Sequence, residues 1–349
     1  MKRLMILLMF VSMFGIVCAQ QQQAAEKTVQ EGIKLHDKGD FDGAIKKYDA
    51  ALLLDEANLH ALAEKALSLL ATKKFDEAVK VCKTALRNHE DEAQLNTVYL
   101  TYGNALDELK QTDKALSIYT DGIKKFPTFY QLYYNKAITL EKVQKHDESL
   151  ICLQKTVSLK PNLSSSHNLI GRIQLANNQR IPSLLAFCRF MTLEPLTDRG
   201  KENLKSIQIL MKGNVEKTGD NSTAIHVDPA TLTKSKEYSF STQELALSMA
   251  TALDNDARFA NKTEVEQFIR KFDNICGSLK ESKANYSGFY WDYYAPYFIE
   301  MKDKQLIETF AYVSFASADM KDVAAWLNSH TAEIQKFFDW SKAFVWSKN

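Results

Sequence analysis

Proline, glycine and unbalanced charge are all scarce in this chain. Its 349 residues hold six prolines and twelve glycines, and 44 lysines and arginines against 43 aspartates and glutamates give a formal charge of +1. No run of one sign is long enough to form the basic face that a nucleic-acid partner needs, or the basic amphipathic helix of a peripheral membrane protein. There is no His-Glu-x-x-His, no glycine-rich phosphate loop and no Gly-x-Ser-x-Gly. The histidines (His36, His60, His89, His146, His167, His226 and His330) are scattered and read as packing or surface residues rather than ligands. Beyond Cys18, the cysteines Cys82, Cys152, Cys188 and Cys276 share no short metal-type spacing and read as buried free thiols rather than disulfides. No metal, no cofactor and no catalysis are expected, and no alternating stretch implies a sheet.

Hydrophobic residues make up 45% and charged residues 25%, enough for a core of ordinary size, and the length implies about two domains. The first 19 residues differ from the rest. Met1-Lys2-Arg3 is cationic, Leu4 to Val17 is apolar, and Val17-Cys18-Ala19 offers small residues for cleavage before Gln20. This reads as a secretory signal peptide, too short in its apolar part for a permanent span of a bilayer ~30 Å thick. Cleavage leaves no transmembrane anchor; acylation of Cys18 as a lipoprotein is the weaker alternative, because Val17 stands where Gly, Ala or Ser usually precedes such a cysteine. Loss of Lys2 and Arg3 takes the net charge from +1 to −1.

Three of the few prolines, Pro127, Pro161 and Pro195, stand 34 residues apart. Counting the unit before Pro127 from Asn96, Tyr99 is position 4, Gly103 position 8, Leu106 position 11, Ala115 position 20, Tyr119 position 24 and Pro127 position 32. Units starting at Ala25, Leu59, Tyr130 and Ser164 fall into the same frame. They supply Gly32, Leu35, Gly39-Asp40-Phe41, Ala44, Tyr48 and Ala51; Ala66, Leu69, Phe75, Ala78 and Ala85; Tyr133, Ala137 and Leu140; and Gly171 and Phe187. Residues 93–95 are a three-residue insertion before the third unit. This pattern resembles the tetratricopeptide repeat, over roughly half the chain. Small residues at 8 and 20 let paired helices approach, and large ones at 4, 11 and 24 fill the gaps, so each unit buries the open face of the last. The pattern weakens late: Ser149 and Ser183 replace alanine at position 20, and Pro182 enters the fifth unit, where the first turn of a helix accommodates it.

The expected fold is all-α: a signal peptide at 1–19, an α-solenoid of about five helix-turn-helix repeats over 20–212 closed by a capping helix from Asp198 to Lys212, a linker at 213–240, and a helical C-terminal domain at 241–349. That domain resembles no known family. Ser241-Thr242-Gln243-Glu244 has the spacing of a capping box and opens a helix through Leu245, Met249 and Leu253. Further helices are expected at about Thr263–Leu279, through the aromatic run Phe289–Phe298, at Gln305–Phe315 and at Asp319–Val345.

The resemblance implies a protein-interaction scaffold whose inner wall is formed by first helices at positions 2, 5, 9 and 12. The wall mixes aliphatic, amide and acidic groups, among them Glu26, His36, His60, Leu70, Asn104, Asp107, Tyr134, Ile138, Asn168 and Arg172. It suits an extended peptide or a helix of a partner protein, with Asn104, Tyr134, Asn168 and Arg172 as the contact residues; an alternative is that the C-terminal domain fills the groove. Asn104 and Asn135 match the asparagines with which some members grip a terminal carboxylate. The matching cations are replaced by Leu100, Ser165 and Leu169, so that clamp is not expected. Seven of the ten residues from Phe289 to Phe298 are aromatic. Tyr290, Trp291, Tyr294 and Tyr297 are either a glycan- or partner-stacking surface or a helix buried between neighbours. Asp292, Glu300 and Asp303 near the aromatic run offer the two carboxylates that a glycoside-hydrolase reading needs. The Cys-Ala-Gln-Gln junction resembles that of exported bacterial proteins, which places the expected scaffold in the periplasm or at the outer-membrane periphery, with carbohydrate or cell-wall binding as the runner-up function.

Overall fold

The computed structural model describes residues 2–219, 222–225, 236–256, 258, 259 and 261–347. It divides into two compact units, Met1–Cys152 and Leu153–Asn349. The side chain of Cys18, and His226, lie outside the described set. Among the described residues no helix is long and apolar enough to cross a membrane.

The first unit is a stack of antiparallel helix pairs: α1 (Lys2–His36) with α2 (Phe41–Leu54), α3 (Leu59–Ala71) with α4 (Phe75–Asn88), and α5 (Leu95–Glu108) with α6 (Thr112–Lys125). Then come α7 (Tyr130–Lys142) and the start of α8 (His146–Leu159). Caps mark the starts, Asp40 accepting from the Gly43 N–H at 3.0 Å and Asn58 from the Ala61 N–H at 2.8 Å. At the turn inside each repeat, position 15 takes the left-handed conformation: Gly39 (φ 82°), Lys73 (61°), Lys110 (60°), Gln144 (62°) and, in the second unit, Asn178 (55°). Only the first repeat has the residue that does so without strain.

Packing inside a repeat rests on a size exchange between positions 8 and 24. Where position 8 is glycine, position 24 is a ring: a Cβ on Gly32 would sit 2.5 Å from Tyr48, one on Gly171 2.6 Å from Phe187, and one on Gly103 would enter the ring of Tyr119. In the second repeat Ala66 faces the smaller Cys82, both fully buried. The serines that replace alanine at position 20 bond back to position 8: Ser149 Oγ donates to the Ala137 carbonyl at 3.1 Å, and Ser183 Oγ to the Gly171 carbonyl at 2.8 Å.

The second unit continues from the end of α8 through the fifth repeat, α9 (Ser164–Ala176) and α10 (Arg180–Leu193), and the capping helix α11 (Asp198–Leu210). Pro182 does lie in the first turn of α10. The division falls inside α8 rather than at 213–240, and α10 is buried from Ile181 to Thr192 between α9 and the helices that follow it. Part of that stretch forms an antiparallel hairpin, β1 (Val215–Gly219) with β2 (Ser222–Ile225), strands too short for alternation to register. Gly213 (φ 65°) turns the chain out of α11 so closely that a Cβ there would lie 2.9 Å from Thr251 Oγ1.

Then follow α12 (Ser241–Ala252) and α13 (Glu264–Ser282), a π-helical turn at Tyr290–Tyr294, α14 (Ala295–Asp303), α15 (Ile307–Ser314), α16 (Lys321–Ser329) and α17 (Thr331–Ala343). Three expectations are corrected here. α12 starts at Ser241 without a side-chain cap; the capping box belongs to α13, where Thr263 and Glu266 exchange bonds at 3.2 and 2.8 Å. The face of α12 that is buried carries Gln243, Leu247, Ser248, Ala250 and Thr251, whereas Leu245, Met249 and Leu253 are exposed. The last helix is two, broken at His330, whose ring stacks on Trp326 and bonds the Trp326 carbonyl at 2.9 Å.

Candidate functional site

In the first unit the first helices of successive repeats are tied together along the inner positions. Glu26 meets His60 Nδ1 at 2.9 Å, and His36 Nδ1 meets Ser68 Oγ at 2.7 Å. Asn135 Nδ2 donates to Asn104 Oδ1 at 2.6 Å, and Lys142 Nζ pairs with Asp107 at 2.6 Å. Each rung joins positions about one repeat apart, so the backbone period dictates the ladder. Asn104 Oδ1 also accepts from the Tyr119 hydroxyl at 2.7 Å, which fixes its amide with the oxygen turned into the helix pair. Burial, then the Asp107 charge, raises the Tyr119 pKa, so that hydroxyl stays a donor.

Around these last two rungs opens a cavity of about 460 Å³. Leu70, Phe75 and Ile138 form its apolar lining, and Asn104, Asn135, Asp107 and Lys142 are its oriented polar groups. A concave site of this size, with few polar groups held from behind, can take one or two side chains of a bound segment and direct backbone hydrogen bonds. Of the two cations that line it, Lys73 and Lys142, Lys142 is already engaged by Asp107.

The four expected contact residues divide between the units. Asn104 lines the cavity. Tyr134 is half-buried one turn away and does not line it. Asn168 and Arg172 belong to the second unit, Arg172 exposed and Asn168 with an amide oxygen that is buried and has no partner among the described residues. Sequence reasoning named Asn135 only as a match to a carboxylate clamp that was not expected, and did not assign Lys142 to the site. Their signal was the offset of one repeat from Asp107 and Asn104, legible only once the ladder is known to run between first helices.

The aromatic run is not a surface. Tyr290, Trp291, Tyr294 and Tyr297 are all fully buried. Pro296 has no N–H to continue an α-turn, and the Ala295 N–H reaches back five residues to the Tyr290 carbonyl, which re-aims the rings before α14 begins. Trp291 stacks between Phe240 and Tyr286, with ring centroids at 4.6 and 5.0 Å. Three of the tyrosine hydroxyls are taken up by the fifth repeat and the helix before it, Tyr294 by His167 Nδ1 at 2.7 Å, Tyr290 by Gln174 and Tyr293 by the Val157 carbonyl at 2.9 Å, while that of Tyr297 meets Ser341 Oγ at 2.7 Å. These helices cover α10 and leave the inner positions Arg172 and Leu175 of the fifth repeat exposed, so in that repeat they do not fill the groove. The three carboxylates of the hydrolase reading do not converge either. Asp292 is held by Lys283 at 2.8 Å, Glu300 by the Trp340 indole at 2.7 Å and Asp303 by Lys280 at 2.7 Å. Cys82, Cys152, Cys188 and Cys276 are buried thiols that form no disulfide among the described residues, and burial raises all four thiol pKa values.

Tetratricopeptide repeat family models match residues 35–99 and 130–163. The chain carries tetratricopeptide repeats. No family identifies the C-terminal helices. Among curated proteins the chain is similar to a STIP1 homolog of Dictyostelium discoideum, 28% identical over 137 residues, which are 38% of this chain and 24% of that protein. It is also similar to the Hsp70-Hsp90 organizing protein of Triticum aestivum, 24% identical over 102 residues, 29% of this chain and 18% of that one. The tetratricopeptide chain thus spans a quarter or less of the length of these relatives. Among solved structures, MamA covers 47% of this chain and 94% of its own at 22% identity and a TM-score of 0.43. A thermophilic repeat protein of Thermus thermophilus covers 54% and 98% at 15% identity and 0.42.

Proposed function

We propose that the chain is an exported, non-catalytic scaffold that holds a segment of a partner protein along the inner positions of its first four repeats. The observation that carries this reading is the 460 Å³ cavity with its pre-set polar groups, Asn104 and Asn135 joined to each other and Asp107 to Lys142. Groups already immobilised lose little entropy when a ligand arrives. The wheat relative is named for organising two other proteins, which supports a protein as the ligand class. Export rests on the cationic start, apolar run and small-residue junction of residues 1–19, with the periplasm or the outer-membrane periphery as destination. N-terminal sequencing of the secreted product should begin at Gln20.

The binding reading is tested by selecting displayed peptides on the whole chain and measuring their affinity for variants. Asn104→Ala combined with Lys142→Ala should weaken the selected peptides by about tenfold or more, with helicity unchanged. Arg172→Ala, in the other unit, should leave these peptides unaffected. Equal weakening by both, or by neither, removes the cavity as the site.

A further inference from the structure

A second cavity, of about 270 Å³, lies in the second unit where α11, α12 and α13 meet, lined on its apolar side by Met211, Phe268 and Phe315. All three are nearly fully buried. Lys271 forms its charged wall with only 9% of its side chain exposed, a degree of burial that lysine tolerates only with a counter-charge. That counter-charge is shared. Asp254 takes Lys271 Nζ on one oxygen at 2.5 Å and Arg270 Nη2 on the other. The remaining Arg270 terminal nitrogen is buried without a partner among the described residues, and the guanidinium packs over Phe259 at 4.7 Å. Lys212 adds a third cation at the exposed edge. The other acid there, Glu264, is exposed and accepts from Gln208 at 2.6 Å. Lys271 and Lys212 line the cavity against Asp254 and Glu264, and Arg270, from outside the lining, takes up part of the Asp254 charge, so the cluster holds one cation more than carboxylates.

We propose that this cavity binds a small monocarboxylate with an apolar body, independently of the groove in the first unit. The carboxylate lies against Lys271 and Lys212 and supplies the missing negative charge. The body lies on Phe268, Phe315 and Met211. A single charge matches the single unpaired cation, and the apolar floor disfavours a doubly charged, fully hydrated anion such as phosphate. Thr251 cannot substitute as the anion's donor, since its hydroxyl already bonds the Leu247 carbonyl at 2.8 Å.

The test uses the whole chain labelled at its methionine methyls, with the Met211 signal assigned by Met211→Leu. Phenylacetate should move that signal saturably, whereas neutral phenylacetamide and inorganic phosphate at the same concentrations should not. Lys271→Met should weaken phenylacetate by about tenfold or more. Two milder variants read the sign of the field should Lys271→Met fail to fold: Lys212→Gln should weaken binding and Glu264→Gln should strengthen it, each by about two- to fivefold. The proposal is overturned by no saturable shift up to about 20 mM, far above ordinary ligand affinities, by an equal shift with the amide or with phosphate, or by Lys212→Gln and Glu264→Gln acting in the same direction.

Discussion

His167 makes the second unit sensitive to acid, by an amount that can be worked out. Its ring is fully buried between the Pro161 carbonyl, 2.8 Å from Nε2, and the Tyr294 hydroxyl, 2.7 Å from Nδ1. A carbonyl only accepts, so Nε2 carries the hydrogen, and Nδ1 must accept from Tyr294. A second proton would land on the nitrogen that is already receiving one, in a dry site beside the Arg189 cation. Burial first, then Arg189, lowers the pKa from 6.5 to about 3. A folded pKa below the unfolded one means that, between those values, the unfolded chain binds a proton that the folded chain refuses. Stability from this group is therefore full above pH 6.5 and lost as pH falls towards 3. At about 1.4 kcal/mol per pH unit, the loss between pH 7 and pH 4 is about 3 kcal/mol. The chain's four tryptophans, Trp291, Trp326, Trp340 and Trp346, all lie in this unit, so urea unfolding followed by their fluorescence reports on it alone. His167→Gln keeps a donor and an acceptor but cannot titrate. It should be less stable at neutral pH and lose about 3 kcal/mol less than the unmodified chain on going to pH 4. A difference below about 1 kcal/mol, or a His167 ring resonance that titrates near its ordinary value, would refute the neutral, doubly bonded ring.

Three further outcomes follow from packing and charge. Gly103→Ala should cost about 1–3 kcal/mol by driving a methyl into the Tyr119 ring, and Tyr119→Leu should recover much of that loss; additive losses in the double mutant by circular dichroism melts would sink the size exchange. Lys110→Gly, at φ 60°, should stabilise the first unit by up to about 1 kcal/mol, since only glycine meets that turn unstrained; a lower melting temperature would show the turn is not under strain. Glu237 is half-buried against Gly288, and burial, then the Asp292 charge, raises its pKa. The folded unit thus penalises the ionised carboxylate at neutral pH. Glu237→Gln should raise stability at pH 7 and lose that advantage as pH falls towards 4, and a gain that persists at pH 4 would point to packing instead.

The repeats were legible because their rule is periodic: small residues at 8 and 20, rings at 4 and 24, proline at 32. The αL turns at position 15 were not, because Lys73, Lys110 and Gln144 carry no residue signature for a positive φ. The hairpin escaped because four or five residues cannot establish an alternation. The exposed line of Leu245, Met249 and Leu253 misled for the opposite reason: it has helical spacing and so reads as a core face, but Gln243, Ser248 and Thr251 are among the residues turned inward, each tied down by at least one specific bond. Of the site, Asn104 could be read from its repeat position, whereas its partners Asn135 and Lys142 depend on which side chains of adjacent first helices meet.

The fifth repeat shows how a repeat can be turned from a binding element into core. Three positions that ordinary repeats give to packing carry polar groups here: His167 at position 4, Gln174 at position 11 and Arg189 on the second helix. All are fully buried. A repeat exposing them to the next unit would leave three unsatisfied groups, at a cost of roughly 1–3 kcal/mol each. The π-helical turn instead brings Tyr294, Tyr290 and Tyr297 to within hydrogen-bond reach of each. Arg189 forms no ion pair with a carboxylate among the described residues. Its charge is spread over the Asn162 amide at 2.7 Å, the Thr192 and Ser341 hydroxyls at 2.8 and 3.0 Å, and the ring faces of Tyr297 and Trp346 at 4.9 and 4.7 Å. Those partners come from the turn before α9, from α10, α14, α17 and the tail beyond it, so one cation requires five segments to be in place at once. That requirement ties the fifth repeat to the helices that follow it as one core.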